Sequence, residues 1–464
     1  MDVRDDLFAG TPPLAALRLL LSDAASRGAS QSRKVRFKII DVKKAFLYGV
    51  MERTLYIELP EQDPRAKEGK WVGLLKRTMY GTRDAPAAWQ KMLGRVMKSL
   101  GFVACRSVPC LYVHSSRDLK VVIHVDDFLM SGQAPDLEWA EAELSKSFSL
   151  KSQNLGGGPS CVKEAKFLNR TVRWTPEGLE LEGDAKHLDI LINEWNMAES
   201  KTYSTPGVKS PKAEANFEGK KGQEVVQEDM SKANATLFRR GVARIVYMSQ
   251  DRMDLAFASK ELARKMAQPK VGDEAALKRV IRYLHGRPRA LYAYAWQEKP
   301  TALRVFTDSD WAGDVETRKS TSGGVILHGE HVLCHWSRTQ ATIALSSGEA
   351  ELNASVKGAS EALGLRTMAH EIGLELKINL MGDSSAAKGI MLRTGAGPIK
   401  HLCTKQLWIQ ERVLSKEIIP YKIKRDYNIA DVCTHHWGLQ EALPLFQAAG
   451  LVWRERGYHI SEGV

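Results

Sequence analysis

Acidic side chains stand out first, because they fall in two sets, each split between segments far apart in the chain. Asp41 sits where the apolar run of VRFKII ends, and Asp126 and Asp127 sit at the tip of an apolar hairpin. Hard, anionic oxygens of this kind hold divalent cations, and two such ions about 4 Å apart can activate a 3' hydroxyl and neutralise a triphosphate as it breaks. Adjacent strand residues face opposite ways, so only a turn lets Asp126 and Asp127 approach one centre. Without a cation their mutual repulsion raises one pKa. An ordinary solvated turn also accounts for an Asp-Asp pair taken alone. The second set is Asp308 after an apolar strand, Glu349 in the first turn of a helix, Asp383 after another strand, and Asp431 in NIADVCTHH. Four acids gathered in this way suit in-line attack of water on a phosphodiester by the same two-ion logic. Two of these acids have structural alternatives. Glu349 follows Ser346 by three residues and can complete a capping box, and Asp383 can compensate a helix dipole.

The elements that must position these acids follow from hydrophobic period. LAALRLLLSDAA repeats apolar residues at helical spacing, whereas VRFKII alternates and predicts a strand with one wet face. APAAWQKMLGRVMKSLG places Trp89, Leu93, Val96, Met97 and Leu100 on one helical face and stops at Gly101. LYVH, SSRD, KVVIHV, the Asp pair and FLMSG predict consecutive antiparallel strands. Residues 205–232 are poor in large apolar side chains and predict a linker or surface loop. Residues 233–290 read as helical, and beyond 300 the order is strand, strand, helix, strand, helix.

Sixty-seven Lys and Arg against 55 Asp and Glu give a net charge of +12, which favours a polyanionic partner. The six cysteines show no zinc-finger spacing and read as buried or free thiols. No run approaches the roughly 18 apolar residues of a membrane span, and MDVRDDLFAG does not read as a secretion signal, so a cytoplasmic or nuclear location is expected, with no membrane partner.

In the order IIDVKKAFLYG, MYGTRDAPAAW and IHVDDFLMSG, the chain resembles the reverse transcriptase of copia-type long-terminal-repeat retrotransposons. DSDWAGD, RKSTSGG, ALSSGEAE and GDSSAA resemble the ribonuclease H of the same elements. Between them EAKFLNRTVRW, STPGV, RIVYMSQDRMDLAFA and LKRVIRYLHG continue the likeness, which covers about residues 7–437. The resemblance implies a multidomain α/β and α+β fold: reverse-transcriptase palm and fingers with an antiparallel sheet, a helical thumb and connection, and a ribonuclease H-like α/β domain. Fingers and palm would occupy 1–150, truncated at the N-terminus. The palm end, thumb and linker would take 151–232, the helical connection 233–299, the ribonuclease H-like domain 300–440 and a tail 441–464.

By the same resemblance Asp41, Asp126 and Asp127 would hold the polymerase metal ions, and Asp308, Glu349, Asp383 and Asp431 the nuclease ions. Each site would take two Mg2+, with Mn2+ able to substitute. Phe46 would gate against the sugar 2' hydroxyl or simply pack in the core. Tyr80 and Gly81 would line the nucleotide pocket, and His401 would support the nuclease site or serve its helix. Asp310 and Asp314 would be outer or surface acids. The implied partners are an RNA template, a DNA primer, RNA:DNA hybrid and dNTPs, with other polyprotein products. Asp84 stands where the family has Gln, His124 replaces an aromatic residue, and THHW replaces TKPL. With only 40 residues before Asp41, a fingers segment is expected to be missing and polymerase activity weak or absent. The alternative is a catalytically decayed or co-opted nucleic-acid-binding remnant.

Overall fold

Alternating apolar residues between residues 36 and 155 build a six-stranded antiparallel sheet. The computed structural model describes residues 11–208, 228–397, 401–402 and 404–455. The chain divides into two units. The first holds residues to 168 with 174–176 and 370–374, and the second holds the remainder. The division therefore falls at 168–177, inside the segment expected to be palm end, thumb and linker. Much of the stretch predicted as linker, residues 209–227, lies outside the described residues.

In the first unit the sheet order is Val103–Ala104, Leu111–His114, Leu119–His124, Asp127–Gly132, Arg36–Val42, Leu150–Leu155. Helices Ala85–Ser99 and Ala134–Ser145 supply Trp89, Leu93, Met97, Leu137, Ala140 and Leu144 to a core shared with Ile40, Val42, Phe128 and Met130. Burying each such side chain contributes roughly 1.5–3 kcal/mol, so the helix stripe read from the sequence is what fixes this layer. Helix Leu14–Ala25 is buried on nearly every side, including Arg18 and Asp23. Asp23 is held by Lys120 at 2.6 Å and Arg27 at 2.8 Å. The expected wet face of VRFKII is not wet. Lys38 is buried and ion-paired to Glu141 on the covering helix, which satisfies the charge that the sequence pattern assigned to solvent.

In the second unit strand Gly178–Glu182 pairs antiparallel with Arg289–Ala295. Helices Lys232–Met248, Ala256–Arg264 and Asp273–Gly286 lie between them in sequence, as the helical reading of 233–290 expects. A buried cluster joins these pieces: Arg252 meets Asp254 at 2.7 Å, and Tyr283 donates to the same carboxylate at 2.6 Å. Residues 441–455 do not form a tail. Helix Leu439–Ala448 buries Phe446, and strand Leu451–Arg454 pairs with Arg289–Ala295, because its apolar residues complete that sheet.

A five-stranded sheet follows, ordered His331–Thr339, Thr321–His328, Ala302–Asp310, Lys377–Gly382, Ile418–Lys422. Its first three strands are antiparallel, and Lys377–Gly382 and Ile418–Lys422 run parallel to Ala302–Asp310. Helices Ser347–Glu371, Ser385–Leu392 and Thr404–Leu414 provide the crossovers, giving an α/β arrangement. The strands His331–Thr339 and Ile418–Lys422 are two more than the sequence pattern indicated. Cys105, Cys110 and Cys433 are buried free thiols.

Candidate active sites

In the first unit, pairing of Arg36–Val42 with Asp127–Gly132 sets Asp41 directly opposite Asp127. His124 pairs with Asp127 across the neighbouring hairpin, leaving Val125 and Asp126 as a two-residue turn. Val125 has φ 56°, unusual for a β-branched residue and a point of backbone strain. Trp89 Nε1 donates to the Val125 carbonyl at 2.7 Å and helps to hold the turn. The Val42 amide donates to the Asp126 carbonyl at 3.0 Å, which ties the turn to the Asp41 strand. The Asp127 carboxyl is raised above its ordinary range by burial, then by the charges of Asp126 and Asp41, with His124 opposing. The turn thus brings all three predicted acids into electrostatic reach of one another.

Phe46 lies on a short 3-10 turn, Ala45–Tyr48, with its ring centroid 4.9 Å from that of Tyr80. Tyr80 is 52% exposed, and Gly81 takes φ +92°, a conformation that requires glycine. Asp84 precedes helix Ala85–Ser99 and pairs with Arg53 at 2.6 Å.

In the second unit, ligand oxygens of Asp308, Glu351 and Asp383 all lie within 4.8 Å of one another. The predicted Asp308 and Asp383 are therefore brought together, but the helix acid that joins them is Glu351 and not Glu349. Glu349 accepts from His401 Nε2 at 2.9 Å, from the Leu345 amide at 2.8 Å and from Gln406 at 3.3 Å. Burial opposes its charge, but those donors outweigh it and hold the carboxyl below its usual range. The Ser346 hydroxyl accepts from the Glu349 amide, which is half of the capping box recognised in the sequence. His401 thus contacts Glu349, which lies outside the three-acid cluster.

Helical spacing explains the exchange. Gly358 faces the Asp308 strand, where an added Cβ would collide with Thr307 Cγ2 and meet Val305 Cγ1 at 3.2 Å. Glu351 precedes Gly358 by seven residues, about two turns, and shares its face, whereas Glu349 precedes it by nine and points away. Small residues Ala354, Ser355, Gly358 and Ala362 are buried along this helix and were the available clue.

Burial raises the Glu351 carboxyl, and the charges of Asp308 and Asp383 raise it further, with the Ser309 amide donating to it at 3.2 Å. Asp308 is likewise raised by burial, against a hydroxyl bond from Thr434, and further by Asp431 and Asp383. Asp383 is raised by burial and by Asp431, with Arg425 opposing. Asp431 stands outside the three but near enough to act on them; it accepts from Arg425 at 3.2 Å and lies 3.3 Å from His435. Asp310 bonds the Thr321 amide, and Asp314 is tied to Arg264 and Thr317. Thr434 and Arg425 were not singled out in the sequence, since their partners are more than 40 residues away except for Asp431. A cleft of about 1090 Å³ opens over the acids, lined also by Trp311, Arg264 and His435.

Buried like charges facing a cleft, with hard oxygen donors at these separations, fit a divalent-cation cage. Residues 3–209 match the family described as reverse transcriptase (RNA-dependent DNA polymerase), a span that contains Asp41 and the hairpin with Asp126 and Asp127. The Pol polyprotein of transposon TNT 1-94 from Nicotiana tabacum is 28% identical over 93% of this chain and 31% of its own length. That of transposon RE1 from Arabidopsis thaliana is 28% identical over 75% of this chain and 23% of its own. A solved foamy viral protease-reverse transcriptase in complex with RNA/DNA hybrid aligns at 12% identity with a TM-score of 0.49, covering 90% of this chain and 46% of that one. Over most of its length the chain is thus similar to retrotransposon Pol polyproteins. It spans less than a third of the length of these two curated relatives.

Proposed function

We propose that this chain is an RNA-directed DNA polymerase joined to a ribonuclease H, acting on an RNA template and on the resulting RNA:DNA hybrid. The observation that carries the nuclease half is the close approach of the Asp308, Glu351 and Asp383 oxygens at the floor of an open cleft. The reverse transcriptase match and the pairing of Asp41 with Asp127 support the polymerase half.

Asp308, Glu351 and Asp383 would hold the nuclease ions, with Asp431 adding charge from the rim. Asp41, Asp126 and Asp127 would hold those of the polymerase. Paired magnesium ions, for which manganese substitutes, supply Lewis-acid charge at the phosphorus under attack. The protein contributes orientation. The Ser309 amide fixes Glu351, the Thr434 hydroxyl fixes Asp308, and Asn428 donates to the Thr307 carbonyl at 3.0 Å, which anchors the 3-10 turn Ile429–Cys433 beside the Asp308 strand. Arg425 opposes the summed negative charge where a phosphodiester would enter. Phe46 and Tyr80 would shape the sugar pocket for incoming dNTPs beside a DNA primer. The basic balance of the chain favours the polyanionic partner.

Hybrid cleavage tests the nuclease half. With 5'-labelled RNA in an RNA:DNA duplex, magnesium-dependent shortening is expected, and Asp308→Asn is expected to abolish it. Primer extension on an RNA template, lost in Asp127→Asn, tests the other half. Hybrid binding that survives chelation, with neither activity under magnesium or manganese, would instead mark a nucleic-acid-binding remnant.

A further inference from the structure

A second concave surface of the same unit lies against the carboxylate cleft, and the two share Glu261, Lys265 and His436 as a common wall. It is open to solvent and has a volume of about 640 Å³. Helix Asp273–Gly286 presents Lys278, Arg279 and Arg282 to it, with Arg282 three residues beyond Arg279 and four beyond Lys278, so Arg282 neighbours both on this side of the helix. Tyr203 closes the other side. The Arg279 guanidinium lies 4.3 Å from the Tyr203 ring centroid, and that of Arg282 lies 5.8 Å from it. Arg279 also donates to Thr205 Oγ1 at 3.1 Å.

Their surroundings make these arginines unusual. Among the described residues no carboxylate pairs with either, and the Nε of each is buried without a hydrogen-bond acceptor. Lys278, by contrast, is paired to Glu274, and Lys265 lies 3.6 Å from Glu316. An aromatic ring that stacks guanidinium groups fixes their planes in advance while leaving their N–H donors for a planar or tetrahedral anion. His436 adds no charge near neutral pH, because burial pushes its imidazole down to about 4.

We infer that the Arg279–Arg282–Tyr203 hollow is a second nucleic-acid contact, holding phosphodiesters of a strand that continues from the carboxylate cleft. The shared wall selects this occupant: a strand leaving the cleft across Glu261, Lys265 and His436 would enter the hollow, where two guanidiniums that pair with no carboxylate among the described residues meet its backbone. The assignment rests on the hybrid reading of the neighbouring site.

Fluorescence anisotropy with a labelled RNA:DNA hybrid, in EDTA so that nothing is cleaved, tests it across a potassium chloride series. Arg279→Gln with Arg282→Gln is expected to weaken binding on the order of 10-fold near physiological salt. It should also lower the slope of log affinity against log salt by roughly 1.4–1.8, from about 0.7–0.9 for each of two phosphates. Arg279→Lys with Arg282→Lys retains the charge and is expected to keep the slope while losing part of the affinity. Arg282→Gln alone leaves the Thr205 bond in place, and should lower the slope by about half as much should the double variant fail to fold. A folded Gln variant with the wild-type slope and affinity overturns the contact and leaves hybrid cleavage untouched. Wild-type chain that binds with the expected slope yet never cleaves overturns the nuclease assignment and leaves the contact standing.

Discussion

The exchange of Glu349 for Glu351 has a direct thermodynamic reading. In the absence of cations burial, with Asp308 and Asp383 beside it, pushes the Glu351 carboxyl up to about 9, so folding at neutral pH carries the cost of protonating it, whereas Glu349 is compensated by His401 and Gln406. Glu351→Gln is therefore expected to raise the melting temperature in EDTA and to erase the further rise produced by magnesium. That rise is worth about 2.7 kcal/mol when the ion is at 100 times its dissociation constant. Glu349→Gln should keep the magnesium-dependent rise. Thermal melts of both variants with and without magnesium decide it, and the opposite pattern would return Glu349 to the cage. A second residue governs acid stability. His331 donates from Nε2 to the Ala295 carbonyl at 2.8 Å, and its Nδ1 faces Gln297 at 3.0 Å. Burial lowers its pKa to about 4 from 6.5. The unfolded chain takes up the proton first as pH falls, so this contribution is complete above pH 6.5 and is lost progressively between 6.5 and 4. By pH 5 the loss amounts to roughly 2 kcal/mol. His331→Gln should flatten that part of the stability curve in urea titrations at pH 7.5 and 5; an unchanged pH slope would refute it.

Elements whose instructions are local could be read from the sequence. Leu111–His114, Leu119–His124 and Asp127–Gly132 follow from alternation and short turns, and the juxtaposition of Asp126 and Asp127 follows from the turn itself. Asp308 and Asp383 were found because each terminates or follows an apolar strand. What escaped depends on docking between distant segments. SSGEAEL offers two acids in one helical turn, and only the seating of helix Ser347–Glu371 on the sheet decides between them. Lys38 reads as solvent-facing until Glu141, about 100 residues later, covers it. Gly358 makes the seating itself testable. Gly358→Ala adds a methyl group against the stiff Thr307 side chain and should push the helix outward. Overpacking of this kind costs about 1–3 kcal/mol, offset by up to about 1 kcal/mol of helix propensity. Magnesium affinity, read by calorimetry, is expected to fall about 10-fold although no ligand has changed. Unaltered affinity would separate the helix position from the cage.

At the scale of the whole molecule, each unit carries its own acid set, assembled from segments that meet only after folding. No helix among the described residues is long and apolar enough to cross a membrane. The second unit is also the more non-local of the two, for Arg289–Ala295 takes Gly178–Glu182 on one edge and Leu451–Arg454 on the other. Tyr292 pairs with Leu451 and is 1% exposed once that strand is in place. During synthesis at about 5–20 residues per second, this edge must wait while roughly 160 further residues are added. For that interval of about 8–30 seconds the nascent chain displays an unpaired apolar strand border, an invitation to intermolecular pairing that ends only when its last partner emerges from the ribosome.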